Sequence, residues 1–297
     1  MGPARRLRQV LQGPGCRLMP CCFDALSARL VEQAGFPLTF MSGFSVAASR
    51  AAVPDTGLLS LSEMVDQGRH ICEAVTIPVI GDGDTGHGNP ANVRRTVEQF
   101  ARAGFAGIML EDQLAPKRCG HTGVREVVSR EEALRRIRVA VDARAAGVDL
   151  VIVARTDARS ALAGILGEQG ALEEALWRLN AFAELGAEVL FLEAPRSEAE
   201  MERFSAEVAG WRMVNMLEGG ITPLLPPKQL EAMGFRIAAY PLTLLSSAAS
   251  AMQKALADLA AGGTPSPGMG FASLRELVGF EAYDAFVEHY ATPPPPL

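Results

Sequence analysis

Residues 77–111 read IPVIGDGDTGHGNPANVRRTVEQFARAGFAGIMLE, and this stretch decides the fold. An apolar run at 77–81 is followed by a polar loop, and an Asn-Pro pair then opens a helical pattern over 92–103. The pattern stops at an Ala-Gly pair, which is typical of a glycine C-cap, and a second apolar run follows at 106–111. The stretch therefore predicts one strand–helix–strand unit.

The same unit recurs along the chain. Helical patterns at 130–145, 171–185 and 198–208 separate further apolar runs, which are continuous rather than alternating, as expected of strands covered on both faces. Eight runs are present: 17–22, 38–42, 77–81, 106–111, 150–155, 188–193, 212–216 and 236–240. They predict an α/β protein with a (β/α)₈ TIM-type barrel. A doubly wound open sheet is the alternative, but no glycine-rich nucleotide turn follows the first run.

The barrel is expected to occupy residues 1–262 and to form the catalytic domain. Residues 263–297 then supply a linker, a C-terminal helix over 271–290, and a tail, TPPPPL, that is predicted to be disordered. Apolar side chains fall on one stripe of that helix, so it has to pack on its own barrel or on a neighbouring subunit. The stripe consists of Phe271, Leu274, Val278, Ala282 and Phe286.

Composition excludes several classes of function. The 297 residues are 48% hydrophobic and 21% charged, and the net charge of −6 argues against a nucleic-acid partner. No apolar run approaches the roughly 18–20 residues of a membrane span, so no membrane partner is expected. The odd number of cysteines, five, without paired spacing favours a reducing, cytoplasmic compartment. An N-terminal stretch that is basic and lacks acids leaves an organelle as the alternative location.

Polar side chains follow the predicted strands at their carboxyl ends, where barrels carry their chemistry. Loops face water, so a single acid there needs no explanation, but several carboxylates at one rim repel each other unless a cation offsets them. The strand-end groups are Ser42-Gly43-Phe44, Asp82, Asp84, Glu111-Asp112, Arg155-Thr156-Asp157, Glu193, Asn215 and Glu218. They are expected to ring one mouth of the barrel.

Three of these acids predict a divalent-metal site. Asp82 and Asp84 are two residues apart at a strand end, so both side chains should point the same way, and Glu111 should lie beside them. A site made only of oxygen ligands selects Mg²⁺ or Mn²⁺ rather than zinc. We expect Asp84 to be the direct ligand and the other two to act through water. His87 is interpreted as a solvent-facing loop residue.

The remaining groups suggest a small organic acid with several charges as substrate. Arg155 could bind a substrate carboxylate in a bidentate manner, or it could form an ion pair with Asp157. Asn215 could donate to a second carboxylate or cap a loop. A Schiff-base mechanism is not expected, because only Lys117 of the three lysines lies near the mouth, and it lies in a loop.

The loop PKRCGHTG, residues 116–123, places Cys119 among Lys117, Arg118 and His121. Such surroundings lower the pKa of a thiol and indicate a reactive cysteine rather than a buried structural one. The loop alone leaves open whether Cys119 is a nucleophile, a proton donor, a metal ligand or a residue without a chemical role.

Six segments together resemble the isocitrate lyase and phosphoenolpyruvate mutase superfamily in order and spacing. They are SGFSVAASRAAVPDTGLLS (42–60), GDGDTGHGNPANVRRTV (81–97), LEDQLAPKRCGH (110–121), VARTDAR (153–159), FLEAP (191–195) and NMLEGGITP (215–223). Within the superfamily they are similar to 2-methylisocitrate lyases and to the plant petal death protein, a 2-alkylmalate lyase. The KRCGH loop is the most specific of these signals.

The resemblance implies a Mg²⁺-dependent carbon–carbon lyase whose eighth helix is exchanged between the subunits of a homotetramer. It implies that Asp82, Asp84 and Glu111 bind the metal, with Asp55 nearby, and that Cys119 protonates the enolate left by bond cleavage. The substrate would touch Ser42, Gly43, Phe44, Asp82, Gly120, His121, Arg155 and Asn215. The catalytic set would be Cys119, His121, Arg155 and Glu193. Because a proton donor must carry its proton, either a carboxylate or the substrate would have to offset the surrounding cations, or the loop would have to deliver Cys119 only when it closes.

The substrate stays open between 2-methylisocitrate and a 2-alkylmalate. Pro241, at the end of the eighth strand, resembles the lyases of 2-methylisocitrate and disfavours oxaloacetate hydrolysis, whereas the NMLEGG loop resembles the alkylmalate branch. Two alternatives come from other classes: an oxaloacetate decarboxylase or hydrolase, and a non-catalytic barrel that binds a ligand.

Overall fold

The computed structural model of the protein describes residues 1–117, 126–265 and 268–291. These residues form two compact units, 1–246 and 247–297. In the first unit, eight parallel strands close into a barrel in chain order, which confirms the predicted (β/α)₈ architecture. The strands are β1 (Arg17–Cys22), β2 (Thr39–Met41), β3 (Val79–Asp82), β4 (Gly107–Glu111), β5 (Val151–Thr156), β6 (Val189–Leu192), β7 (Trp211–Asn215) and β8 (Ile237–Tyr240).

Helices surround the strands of the first unit. They are α1 (Pro3–Gln12), α2 (Ala25–Gln33), α3 (Gly43–Ala51), α4 (Leu61–Ala74), α5 (Pro90–Arg102), α6 (Arg130–Ala145), α7 (Ala158–Ala161), α8 (Ala163–Leu185), α9 (Glu198–Glu207) and α10 (Pro227–Ala232). The helix α11 (Thr243–Ala260) starts in the first unit and continues into the second, which also holds α12 (Phe271–Val278) and α13 (Phe280–His289). None of the helices in the described residues is long and apolar enough to cross a membrane.

The barrel closes where β1 pairs with β8, with Arg17 opposite Ile237. Because side chains alternate along a strand, one set points into the barrel and the other packs under the helices. The inward set is apolar and forms its own cluster with α1: Leu7, Leu11, Met19, Cys21, Leu38, Phe40, Ile80, Ala106, Met109, Val151, Val153, Val189, Phe191, Met213, Ile237 and Ala239.

The outer core lies between strands and helices, and Phe100 and Phe105 are at its centre around α5. Their rings stack with centroids 4.7 Å apart, and both are fully buried. Gly81 in β3 and Gly68 in α4 make room for them, since a Cβ at Gly68 would stand 2.2 Å from the Phe105 ring. The sequence places small residues where these rings need the space.

Helix ends follow the sequence signals. Ser129 caps α6 by accepting a hydrogen bond from the Glu132 backbone, and α6 has the predicted bounds 130–145. The helix α8 ends at Gly186, whose φ of 105° is the left-handed conformation expected of a glycine C-cap.

The second unit differs from prediction in one element. The single helix predicted over 271–290 is divided into α12 and α13 by Gly279, whose φ of 87° ends the first helix. Within the unit, the Arg275 guanidinium lies 4.8 Å from the centre of the Phe280 ring across this break. The domain boundary at residue 262 stays a prediction, and the TPPPPL tail, residues 292–297, lies outside the described residues.

Candidate active site

Five polar side chains reach the same mouth of the barrel because of strand alternation. Each lies two residues beyond an inward apolar side chain on the same strand. The pairs are Ile80 and Asp82, Met109 and Glu111, Val153 and Arg155, Phe191 and Glu193, and Met213 and Asn215. The predicted ring of strand-end groups is therefore present at the carboxyl ends of β3 to β7.

The mouth encloses a cavity with an empty volume of about 540 Å³. Apolar side chains of the barrel interior form its floor, and polar and apolar groups from the βα loops surround it. The floor consists of Cys21, Phe40, Met109, Phe191 and Met213; the polar lining consists of Ser42, Asp55, Asp82, Arg155, Glu193 and Asn215; the apolar loop residues are Phe44, Leu217, Pro241 and Leu242.

Acids cluster on one side of the mouth around the ammonium group of Lys117. This Nζ lies 2.5 Å from Asp84 Oδ1, 2.8 Å from Asp55 Oδ1 and 3.9 Å from Asp82 Oδ2. Lys117 is only 5% exposed. Burial opposes its charge, but Asp84, Asp82 and Asp55 outweigh that effect and raise its pKa. The cluster thus gathers negative charge that requires a cation.

Asp82 and Asp84 come together through a turn rather than through strand alternation. β3 ends at Asp82, and Asp84 has a φ of 50°, so the two side chains are not successive members of one strand face. The Asp84 backbone N–H donates to Asp82 Oδ1 at 3.1 Å. Burial, together with Asp82 and Asp55, raises the pKa of Asp84 to about 6 against the opposing charge of Lys117. The predicted proximity is present, but the reason given for it was wrong.

The helix α3 supports Asp82 from the other side. Gly43, its first residue, donates its backbone N–H to Asp82 Oδ2 at 3.2 Å, and a Cβ at this position would stand 2.5 Å from that oxygen. A helix N-terminus stabilises a carboxylate through its free N–H groups and its dipole. Ser42 is the N-cap of α3, since its side chain accepts from the Ser45 N–H at 3.3 Å. Gly43 therefore permits an approach that a larger residue would block.

Glu111 is the buried acid whose negative charge most clearly requires a nearby cation. It is 2% exposed, and neither carboxylate oxygen accepts a hydrogen bond from the described residues. Burial raises its pKa well above the usual range, although Arg155 and Lys117 oppose the shift. Such a group is costly unless a partner offsets it.

The donor set fits a magnesium or manganese ion held mainly through water. In the described part of the chain, no three His, Cys, Asp or Glu side chains are gathered at direct metal-ligand spacing. Mg²⁺ usually keeps several waters and takes only one or two carboxylates directly, so an open group of acids suits it. The oxygens of Glu111, which accept no hydrogen bond from the described residues, and the purely oxygen character of Asp55, Asp82 and Asp84 agree with such an ion.

Arg155 lies at the mouth beside Glu111 and Glu193. Its Nε and Nη2 donate to the two carboxylate oxygens of Asp157 at 2.9 and 3.0 Å, so one edge of the guanidinium is already engaged. The remaining Nη1 lies 3.3 Å from Glu111 Oε2. The ion pair with Asp157, one of the two interpretations given to Arg155, is therefore present, and Nη1, which pairs with Glu111, is the part of the guanidinium that does not bond to Asp157.

Glu193 and Asn215 complete this side of the mouth. Asn215 Nδ2 donates to Glu193 Oε2 at 3.4 Å, and that oxygen lies 3.7 Å from Arg155 Nε. Glu193 is 1% exposed. The three groups form a connected polar row from β5 to β7.

Two further sequence expectations have different outcomes. His87, interpreted as solvent-facing, is half-buried, and burial lowers its pKa. Cys119, Gly120 and His121 lie outside the described residues, so their predicted roles stay predictions.

Three charged side chains of the site were not assigned a role from sequence: Lys117, Asp112 and Arg178. Arg178 had a usable signal, since it occupies a core position on α8 between buried Ala175 and Phe182. A charge on the apolar stripe of an amphipathic helix points to a buried partner. The position of Lys117 had no such signal, because it depends on tertiary contacts alone.

Comparison with known proteins places this geometry in context. The model of the phosphoenolpyruvate phosphomutase family matches residues 7–260. The chain is 39% identical to the 2,3-dimethylmalate lyase of Eubacterium barkeri, covering 98% of this chain and 99% of the relative. It is 40% identical to the probable 2-methylisocitrate lyase 2 of Corynebacterium glutamicum, covering 97% and 92%.

Solved structures are also similar to this chain over nearly its whole length. Oxaloacetate acetylhydrolase in complex with the inhibitor 3,3-difluorooxalacetate superposes with a TM-score of 0.91 at 36% identity, over 97% of each chain. Phosphonopyruvate hydrolase in complex with oxalate and Mg²⁺ superposes with a TM-score of 0.82 at 30% identity, over 98% and 99%.

Proposed function

This chain belongs to the phosphoenolpyruvate mutase and isocitrate lyase superfamily and is a carbon–carbon lyase, and we propose that it cleaves a 2-hydroxy di- or tricarboxylate in a Mg²⁺-dependent reaction. The products are a 2-keto acid, such as pyruvate, and a second carboxylic acid. One observation carries the proposal: Asp55, Asp82 and the buried Arg155 line one cavity, and Glu111 beside them is buried without a hydrogen bond from the described residues. A cation on the acidic side and Nη1 of Arg155 on the other would bracket a small anion.

Asp82, Asp84 and Glu111, with Asp55 beside them, would hold Mg²⁺. The bound ion would offset the negative charge on the keto-acid product. A relative of known structure was obtained with oxalate and Mg²⁺, which supports this cofactor and leaves Mn²⁺ as an alternative.

The side chains of this protein would perform the remaining steps. Arg155 Nη1 binds a substrate carboxylate, and Ser42, Gly43 and Phe44 border it. A base removes the proton of the 2-hydroxyl, the C2–C3 bond breaks, and C2 becomes the carbonyl carbon of the keto acid. The electron pair of the broken bond passes to the leaving acid as an enolate, and Cys119 donates its proton to the enolate carbon. Such a general acid contributes about 10²- to 10⁴-fold in rate.

The polar row and the loop would fix the orientation of the substrate. Glu193, held by Asn215, keeps Arg155 in place beside the reacting carbons. Gly120 and His121 bind the second carboxylate.

The apolar lining supports a substrate with an alkyl substituent. Phe44, Leu217, Pro241 and Leu242 line the cavity and offer no hydrogen-bonding side chain. A methyl or ethyl group buried there gains about 0.8 kcal/mol per CH₂. Both candidate substrates, 2-methylisocitrate and a 2-alkylmalate, carry such a group, and the relatives include a 2,3-dimethylmalate lyase and a probable 2-methylisocitrate lyase.

A product screen tests the function. The enzyme with Mg²⁺ is incubated separately with 2-methylisocitrate, 2,3-dimethylmalate, 2-ethylmalate and oxaloacetate, and keto acids and oxalate are quantified. We expect a keto acid from at least one of the first three. Oxalate from oxaloacetate, without cleavage of the others, would instead indicate a hydrolase.

The variant Cys119→Ala separates the lyase from a decarboxylase. Cleavage should collapse in this variant while metal binding, measured by calorimetry, survives. Undiminished turnover, with carbon dioxide released from oxaloacetate, would favour a decarboxylase, and no turnover by the wild type together with no binding of Mg²⁺ and pyruvate would favour a non-catalytic barrel.

The assembly is proposed to be a homotetramer that exchanges α11, the eighth helix of the barrel. Apolar residues recur along this helix at Met252, Leu256 and Leu259, a spacing that forms one stripe. Light scattering of the full-length protein tests this proposal, and a monomeric mass would contradict it.

A further inference from the structure

Asp112 lies directly behind the mouth and is the centre of a buried hydrogen-bond network. It is 1% exposed. Its carboxylate accepts from Thr156 Oγ1 at 2.5 Å, from the Asp157 backbone N–H at 2.9 Å and from Arg178 Nη1 at 3.0 Å. Asp112 follows β4, whereas Thr156 and Asp157 are at the end of β5, so this one carboxylate joins two neighbouring strand ends.

This network determines where Arg155 can point. The backbone of Asp157 is held by Asp112, and the side chain of Asp157 in turn holds Nε and Nη2 of Arg155. Because two atoms of the guanidinium are fixed, the direction of Nη1 into the cavity is fixed as well. Any shift of Asp112 is passed to Arg155 through Asp157.

The same atom of Arg178 also bonds to the backbone of Val128, just before α6. Arg178 Nη1 donates to Val128 O at 3.0 Å in addition to Asp112. Val128 N–H donates to Asp112 O at 2.9 Å, and Leu114 N–H donates to Glu126 O at 2.9 Å. These bonds join the residues that follow β4 to those that precede α6.

Burying the charge of Arg178 at this position costs free energy, because the guanidinium loses its contact with water. It is 4% exposed and lies on the apolar stripe of α8, and it needs Glu174 as a second carboxylate partner at 2.9 Å. A well-packed apolar side chain often serves equally well or better for stability alone, because it avoids the desolvation of a charge. The guanidinium therefore serves to position its hydrogen-bonding partners rather than to fill the core.

We propose that Arg178, acting through Asp112 and Asp157, is a positioning residue that holds Arg155 in one fixed arrangement. The inference rests on the proposed function, since it takes Arg155 as the group to be positioned. It adds a residue on the outer helix layer that touches neither substrate nor metal.

The test compares Arg178→Met and Arg178→Lys with the matched control Arg130→Met. Arg130 also pairs with Glu174, but it lies at the surface and does not contact Asp112. The dissociation constant of oxalate is measured by calorimetry in the presence of Mg²⁺, at a temperature at which circular dichroism shows every protein to be folded. The unfolding temperature of each protein is measured separately.

We expect oxalate affinity to fall about 10-fold or more in both Arg178 variants, because a charge-assisted bond from Arg155 is misdirected. The control should match the wild type in oxalate affinity. A purely structural role would lower the unfolding temperature and leave oxalate affinity unchanged, which would overturn the proposal.

If Arg178→Met does not fold, Arg178→Lys provides the test. Lysine keeps the positive charge but cannot reach Asp112, Val128 and Glu174 together. Neither readout requires turnover, so an enzyme inactive on every acid of the product screen would contradict the lyase and still leave this test valid. A wild type that does not bind oxalate would overturn the positioning role, since Arg155 would then have no carboxylate to bind.

Discussion

At the level of single residues, charge balance explains the mouth of the barrel. Asp55, Asp82 and Asp84 surround the ammonium of Lys117, and Arg155 is shared between Asp157 and Glu111. Buried charges persist only where partners offset them. The acidic side still holds more negative charge than Lys117 supplies, and this excess is what a divalent cation would neutralise.

Lys117→Met should therefore destabilise the protein and increase its response to metal. Three carboxylates lose their buried partner, and breaking such a pair costs about 3–5 kcal/mol. Added Mg²⁺ should recover more unfolding free energy in the variant than in the wild type, as measured by urea unfolding with and without the ion. Lys228→Met, at an exposed position of α10, is the control. Equal losses in the two variants would contradict this account.

Gly43→Ala should weaken metal binding with a modest effect on the fold. Its Cβ would meet Asp82 Oδ2 at 2.5 Å, so Asp82 has to move. Displacing a group that orients a metal site typically costs about 10- to 100-fold in affinity. Titration with Mn²⁺, followed by electron paramagnetic resonance, measures the metal affinity of the variant. Gly164→Ala, where a Cβ meets nothing within 4 Å, should bind like the wild type; unchanged affinity in Gly43→Ala would show that Asp82 does not support the ion.

The sequence predicts the residues of the mouth that lie on strands, because alternation determines their direction. Glu111, Arg155, Glu193 and Asn215 are of this kind. Asp84 comes from a turn with positive φ, which alternation does not describe. Lys117, Asp112 and Arg178 could not be assigned, since their roles depend on which distant residues the fold brings beside them.

At the level of elements, glycines control how closely strands and helices pack. Gly68 lies inside α4, where alanine would normally gain about 1 kcal/mol in helix propensity. Here the added Cβ would stand 2.2 Å from the Phe105 ring. The local preference and the packing requirement therefore oppose each other, and packing should win.

Gly68→Ala is expected to destabilise the protein by about 1–3 kcal/mol, the usual cost of overpacking a core. Chemical denaturation measures the change. Gly164→Ala on α8 is again the control and should be neutral or slightly stabilising. A stabilised Gly68→Ala variant would mean that the Phe100–Phe105 stack has free space around it.

Element boundaries show where sequence patterns succeed and where they fail. Signals local to a helix end, such as Ser129 before α6, give the correct bounds. The pattern over 271–290 has an unbroken apolar stripe, which predicts one helix, yet Gly279 adopts a left-handed conformation and ends α12. Periodicity describes which face is apolar and does not reveal that the chain turns within it.

At the level of the whole molecule, the two ends of the barrel have different tasks. The carboxyl ends of the strands carry the candidate site, whereas α1 packs against the interior cluster with Leu7 and Leu11, both fully buried. Arg8 on this helix forms ion pairs with Asp149 and Glu188, each at 2.6 Å, and so links α1 to the barrel. In barrels of this type the carboxyl ends of the strands serve chemistry, and the opposite end serves stability.

Leu11→Ala should separate these tasks. Removing this buried side chain is expected to cost about 2–5 kcal/mol of unfolding free energy. Oxalate affinity of the folded protein should stay unchanged, because the cavity lining does not include α1. Leu166→Ala, at an exposed site, controls for the substitution itself. A loss of oxalate affinity in Leu11→Ala would mean that the ends of the barrel are coupled.

The central claim is that the acidic group at the mouth binds a divalent cation on which carbon–carbon cleavage depends. The most direct measurement is keto-acid formation from 2,3-dimethylmalate and 2-methylisocitrate by the full-length enzyme before chelation, after removal of metal with EDTA, and after restoration of Mg²⁺. The account predicts that turnover is lost on chelation and returns with Mg²⁺. Turnover that persists in the chelated enzyme would contradict it.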